Sequence, residues 1–237
     1  MTNKPAPPPL ADVLILVAQI IFVSALIFAC GFMIMRHLGS QLSREESTLF
    51  YLSAQSIVAA GLAYRYFKRL EPEFTLSHWK TRFFSALFAS AKLFALYYGG
   101  ASLLLFLAEK LPDSLTPAAI RVAISGDASG GILAADPSAA PILSALFLIS
   151  ACIFAPVGEE LLFRRFIYTR MRSVLSPVPA VLFVSILFSA LHQESGWIVF
   201  LFSCYITAIY EAKSDIRLTI LLHSLMNIST TIKHLWS

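Results

Sequence analysis

An all-α polytopic transmembrane bundle of about seven spans, within bounds of six and eight, is the fold class the sequence predicts. Three observations carry it. The 237 residues are 57% hydrophobic and only 14% charged, with a mean hydropathy of +0.74, whereas an average soluble domain has roughly 25% charged residues. The apolar residues gather in runs of about 16 to 26, the length needed to cross ~30 Å of hydrocarbon. The charges lie mostly in clusters between those runs.

Met1 to Leu10 is a short Pro-rich tail. The apolar run behind it predicts a first helix near 11–35. Ile27-Phe28-Ala29-Cys30 faintly resembles a lipoprotein cleavage site, but the run continues through Met35 and Phe28 fits such a site poorly. The helix is therefore expected to stay uncleaved. Further spans are predicted near 48–64, 83–108, 141–163, 178–192, 197–210 and 217–236. The second and sixth are short, and the fifth is barely one crossing. The fourth helix is expected to run on past Arg164 to about Arg172 as an amphipathic end. The longest loop, Glu109 to Ala140, carries Pro112, Pro117, Pro137 and the Gly126-to-Gly131 segment, a composition for turns rather than helix. Its Ser129 has no histidine nearby and no nucleophile-elbow pattern, so it is not read as catalytic. Cys30, Cys152 and Cys204 all fall in apolar runs; an odd number there reads as small packing residues, not a disulfide framework. The expected organisation is a tail at 1–10, N-terminal helices and outer loop at 11–140, and a polar-motif core at 141–237.

Lys and Arg set the orientation. With the N-terminus inside, the inner segments hold Lys4, Arg65, Lys68, Arg69, Lys80, Arg82, Arg164, Arg165, Arg170, Arg172, Lys213 and Arg217. The outer segments hold Arg36, Arg44, Lys110, Arg121 and Lys233. Twelve against five predicts N-terminus in and C-terminus out. The formal charge of +4 comes from these flanking clusters and is not a nucleic-acid footprint. Lys92 lies within the third span, where it is expected to pair with a helix carbonyl or to enter a cavity near the glutamates described next.

The chemistry points to three polar clusters in apolar helices. The first is Gly158-Glu159-Glu160-Leu161-Leu162-Phe163-Arg164. Intramembrane charges cost ~3 kcal/mol or more and by default mark function. Residues four apart share a helix face, so Glu160 is expected to pair with Arg164. Glu159 lies five before Arg164, about 140° around the helix. It is therefore the carboxylate left facing a cavity, which suits a general base. Pro156, just ahead, is expected to kink the helix and expose backbone beside the glutamates. Taken alone, the segment also reads as interfacial, with both glutamates and the arginines as ordinary flanking charges.

The other two clusters favour a site. Ser185, Ser189 and His192 recur at i, i+4 and i+7 on one helix face. Thr219, His223, Asn227, Thr230 and His234 form a polar stripe on the last span. Lipid cannot satisfy such stripes, so they face a bundle interior or a wet cavity. A carboxylate and histidines can activate water, and an amide and a histidine can donate to a developing oxyanion. Glu159, His192 and His223 equally read as a two-histidine, one-carboxylate zinc site. Counted from the inner helix ends, His223 is about six residues deep and His192 about fourteen, a gap of ~12 Å. Helix tilt, or a fifth helix that starts short of the surface, is expected to absorb it.

In order and spacing, Glu159-Glu160…Arg164, Phe188…His192 and His223…Asn227 resemble the signature of the CAAX prenyl endopeptidase and CPBP (Abi) family of intramembrane proteases, related to the Rce-type CAAX protease. The resemblance covers roughly Pro141 to Trp236, which makes 141–237 the expected catalytic core. It implies a glutamate-dependent intramembrane endopeptidase acting on a membrane-associated peptide or protein. Carried over, Glu159 and His192 activate the water, His223 and Asn227 form the oxyanion hole, and Glu160 and Arg164 support the site. It implies no required metal; the alternative is zinc held by Glu159, His192 and His223. The expected partners are that substrate and the lipid bilayer, with no nucleic acid. The brevity of the chain suggests a bacterial cytoplasmic membrane. The rival function is a transporter, or an immunity or chaperone-like binder that keeps the motif as structure.

Overall fold

A computed structural model describes residues 7–37, 44–71, 76–110, 141–192 and 196–235. Seven helices, and no strand, make up the described residues: α1 (Leu10–His37), α2 (Arg44–Leu70), α3 (Leu76–Glu109), α4, α5 (Pro177–Ala190), α6 (Gly196–Lys213) and α7 (Ile216–Leu235). The unbroken helix α4 is built of Pro141–Ile149, Ser150–Phe154, Ala155–Glu160, Leu161–Tyr168 and Thr169–Arg172. Most of the loop expected at Glu109 to Ala140, with Ser129, lies outside the described residues.

The fold is all-α, as the sequence predicts, but the helices outrun the apolar runs that announced them. The second helix, expected at 48–64, spans Arg44–Leu70, and α6, expected at 197–210, reaches Lys213. The polar ends Arg65 to Arg69 are good helix formers, so the end of apolar sequence is not the end of the helix. In contrast α5 stops at Ala190, two residues short of the expected end, which leaves His192 beyond it. Among the described residues, two stretches are long and apolar enough to cross a membrane by length and composition, Leu10–Ile27 and Ser144–Arg172; Pro177–Ala190 is a shorter apolar helix. Large apolar side chains face outward, Phe22, Phe84, Phe88, Leu96, Ile142 and Ile186 each being more than half exposed. Water would penalise such a surface.

Helix α4 is the axis of the bundle. It packs against α2, and α7 lies against both α4 and α3. The adjacent helices α5 and α6 form a second tight pair. The main core gathers Phe67, Leu161, Phe163, Phe166, Tyr168, Val184, Phe188, Tyr210 and Ile220 around α4. A smaller one joins Phe202, Ile206, Leu218 and Leu222 to Leu93, Phe94 and Tyr97 of α3. Helices α3 and α7 run parallel: Ser90 Oγ donates to the Leu218 carbonyl at 3.1 Å, and Ser229 Oγ donates to Tyr98 Oη at 3.1 Å. Only Ser214 and Asp215 separate α6 from α7, and Ser214 turns the chain with φ 51°. That tight link places Ser203 and His223 at similar depths on antiparallel neighbours.

The α2–α4 crossing is closed by a glycine. A Cβ on Gly158 would stand 3.0 Å from the Ala60 nitrogen and 3.1 Å from its Cα. Those are backbone atoms, which cannot rotate away. Gly158→Ala is therefore expected to force the two helices apart and cost about 1–3 kcal/mol. Gly61, also helical, has nothing within 4 Å of its would-be Cβ. Gly61→Ala is expected to be neutral or to stabilise by up to ~1 kcal/mol through helix propensity. Unfolding curves of both variants in detergent check this; equal behaviour of the two would contradict it.

Candidate active site

The backbone of α4 is unusual where the site is built. Ser150–Phe154 and Leu161–Tyr168 are π-helical, with i→i+5 hydrogen bonds, and flank the short α-helical segment Ala155–Glu160. Such segments are rare and frequently occur at functional sites. The first ends at Phe154, two residues before Pro156. The Ala155 N–H reaches the Ser150 carbonyl, five residues back. The next donor in that register would be residue 156, but proline has no N–H. A π segment therefore stands directly before the expected site of disturbance at Pro156. Both glutamates follow within four residues.

Glu160 and Arg164 form the pair that their spacing predicts. Arg164 Nη1 lies 3.0 Å from Glu160 Oε1, and both side chains are fully buried. Each charge has further partners on other helices. Arg164 Nη2 donates to Ser203 Oγ of α6 at 3.1 Å, and the guanidinium carbon sits 4.6 Å from the Phe188 ring centroid on α5. The same Glu160 Oε1 faces His223 Nδ1 of α7 at 2.9 Å. The interfacial reading of this segment does not fit Glu160 and Arg164, since neither touches solvent.

Glu159 differs from its neighbour. Its side chain keeps 31% exposure, and its Oε2 lies 3.8 Å from His223 Nε2. His223 thus stands between the two glutamates, one at each ring nitrogen. Phe188 and Phe202 fix its plane, at ring distances of 6.0 and 5.4 Å.

His192 lies past the end of α5. Its ring stacks at a tilt on Phe188, 4.6 Å between centroids, and its Nδ1 lies 2.9 Å from the Phe188 carbonyl. A carbonyl only accepts, so Nδ1 carries the proton and Nε2 is free to accept. Phe188 also touches Arg164 and His223. The Phe188 ring thus stands between the two histidines, 4.6 Å from the His192 ring and 6.0 Å from that of His223. Asn227, one turn beyond His223 on α7, donates through Nδ2 to the Ala151 carbonyl at 2.7 Å. Among the described residues, no three His, Cys, Asp or Glu side chains form a group that could hold a metal ion.

Other expectations resolve less centrally. Thr219 is buried and donates to the Ile216 carbonyl, and Thr230 donates to that of Met226. Ser185 is buried, and Ser189 donates to the Ile186 carbonyl. The side chain of His234 lies outside the described residues. Lys92 does not enter the cavity; it is exposed, with its ammonium 4.6 Å from the Phe88 ring. Ser203 was not singled out from sequence. It is one serine in the apolar run Phe200-Leu201-Phe202-Ser203-Cys204, with no pattern to mark it.

The geometry fixes a tautomer. Glu160 held against Arg164 is an acceptor, so His223 Nδ1 must carry hydrogen. Nitrogen-15 spectra of histidine-labelled protein, with His223 assigned by substitution, are expected to show a protonated Nδ1. An unprotonated Nδ1 would contradict the Glu160–His223 bond.

No curated protein and no solved structure matches the chain. Residues 141–229, which carry every residue of this site, match the family model of the type II CAAX prenyl endopeptidases, Rce1-like.

Proposed function

We propose that the chain is a multi-pass intramembrane endopeptidase that hydrolyses a peptide bond in a membrane-associated peptide or protein through a glutamate-activated water. The observation that carries this reading is the division between the glutamates: Glu160 is buried in ion pairs, while Glu159 is reachable and faces His223 at 3.8 Å. The family match adds the reaction class.

In this mechanism Glu159 and the free Nε2 of His192 hold the attacking water. Glu159 takes a proton as the hydroxide adds to the substrate carbonyl carbon. The charge that develops on the carbonyl oxygen is received by the Asn227 amide and by His223 as the imidazolium, which keeps its Nδ1–H on Glu160 and donates through a second proton on Nε2. Collapse breaks the carbon–nitrogen bond, and Glu159 returns the proton to the leaving amine. Glu160 and Arg164 touch no substrate; they hold His223 in place. General-base catalysis contributes about 10²–10⁴-fold, and each oxyanion donor about 10²–10³-fold. No step uses a metal ion.

The seven helices are read as seven crossings of a bacterial cytoplasmic membrane, N-terminus inside. Two contacts agree with alternating crossings. Helices α3 and α7, both odd-numbered, run parallel. The ends of α4 and α6 meet, where Arg172 and Tyr168 both bond Glu211.

Membrane proteomes of cells carrying wild-type protein or Glu159→Gln test the reading. The variant is expected to slow cleavage by about 10²–10⁴-fold, so that an uncleaved precursor accumulates. Cleavage by the purified wild type is expected to survive a strong chelator. Identical precursor patterns in the two strains would point instead to a transporter or binder, and loss of cleavage in chelator would contradict the metal-free mechanism.

A further inference from the structure

The two π segments of α4 end in the same way. In the second, continuing the i→i+5 register would bring the Thr169 N–H to the Arg164 carbonyl. That N–H goes instead to the Phe166 carbonyl, and the Thr169 hydroxyl donates to the Arg164 carbonyl at 3.1 Å. In the first, the register assigns the N–H of residue 156 to the Ala151 carbonyl, and Pro156 has none. There the donor is Asn227 Nδ2 at 2.7 Å, from α7, 76 residues away in sequence. At each end a side chain takes over the carbonyl that the backbone fails to pair. A carbonyl left unpaired inside an apolar bundle is costly, so the replacement matters.

We infer that Asn227 is a positioning residue, the substitute for the backbone donor that Pro156 lacks, and that this bond clasps α7 to α4 one helical turn along α7 from His223, which meets both glutamates. His223 lies one helical turn from Asn227 on α7, and Glu159 and Glu160 lie eight and nine residues beyond Ala151 on α4. With the His223 contacts the clasp makes a second, separate tie between the two helices, and the two ties together set their register. It uses one of the two hydrogens of the amide. The other remains for a substrate oxygen, and only that second role rests on the proteolytic reading.

The test is a double-substitution cycle read by Tm of the full chain in detergent. Asn227→Ala is expected to lower Tm in the wild-type background. In the Pro156→Ala background the restored N–H can pair the Ala151 carbonyl itself, so the same substitution is expected to lose less than half as much. An equal Tm loss in both backgrounds overturns the proposal. Asn227→Gln, which still donates, is expected to lose less Tm than Asn227→Asp, whose carboxylate cannot donate. The reverse order overturns it, and this pair decides alone if Pro156→Ala does not fold. Cleavage of the accumulating precursor, measured on the same variants, separates the two readings. Absence of cleavage by wild type refutes proteolysis and leaves the Tm cycle intact.

Discussion

A carboxylate and a guanidinium face each other at 3.0 Å, one turn apart on α4, with no exposure to solvent. Taking two charges out of water costs several kcal/mol per ion, and their mutual attraction repays this only when further hydrogen bonds complete the geometry. Here bonds from elsewhere in the chain serve one oxygen of Glu160 and one nitrogen of Arg164. Ser203 of α6 receives Arg164, His223 of α7 meets Glu160, and the Phe188 ring of α5 lies against the guanidinium. The pair therefore needs three helices around α4 at one depth. Each of those helices also carries, or stands beside, a group of the candidate site. The same arrangement that makes the charges tolerable brings His223 to Glu159 and sets the Phe188 ring against both histidines.

Backbone chemistry on α4 makes room for this. Gly158 lets α2 approach to backbone contact on one side. Pro156 follows the first π segment and leaves the Ala151 carbonyl for Asn227 on the other. The glutamates sit in the short α-helical segment between two widened ones. A residue that is fully packed, Glu160, and one that keeps a third of its exposure, Glu159, can then be sequence neighbours with different work.

Much of this was legible in the sequence, and the reasons are physical. The i, i+4 spacing of Glu160 and Arg164 is a rule of helix geometry, and burial only strengthens it. The polar stripe through Thr219, His223 and Asn227 marks the face of α7 because lipid would not accept it. The all-α class followed from apolar run length. What stayed hidden depends on contacts between distant residues. Ser203 has no spacing that sets it apart from any other small residue in an apolar helix. The π segments leave no pattern of their own beyond Pro156. The Asn227 bond to a main-chain carbonyl 76 residues away involves a partner that every residue possesses. Lys92 stayed open between a helix carbonyl and the cavity because its depth is readable in sequence and its direction is not; it faces outward over Phe88.

The central claim is that adjacent glutamates hold separate jobs, one in the fold and one in the chemistry. Stability of Glu159→Gln and Glu160→Gln, measured side by side by denaturant unfolding in detergent, tests it most directly. Glu160→Gln leaves Arg164 buried without its counter-charge and is expected to cost about 3–5 kcal/mol. Glu159→Gln changes a partly exposed group and is expected to stay within about 0.5 kcal/mol of wild type. Equal losses, or a larger loss for Glu159→Gln, would contradict the account.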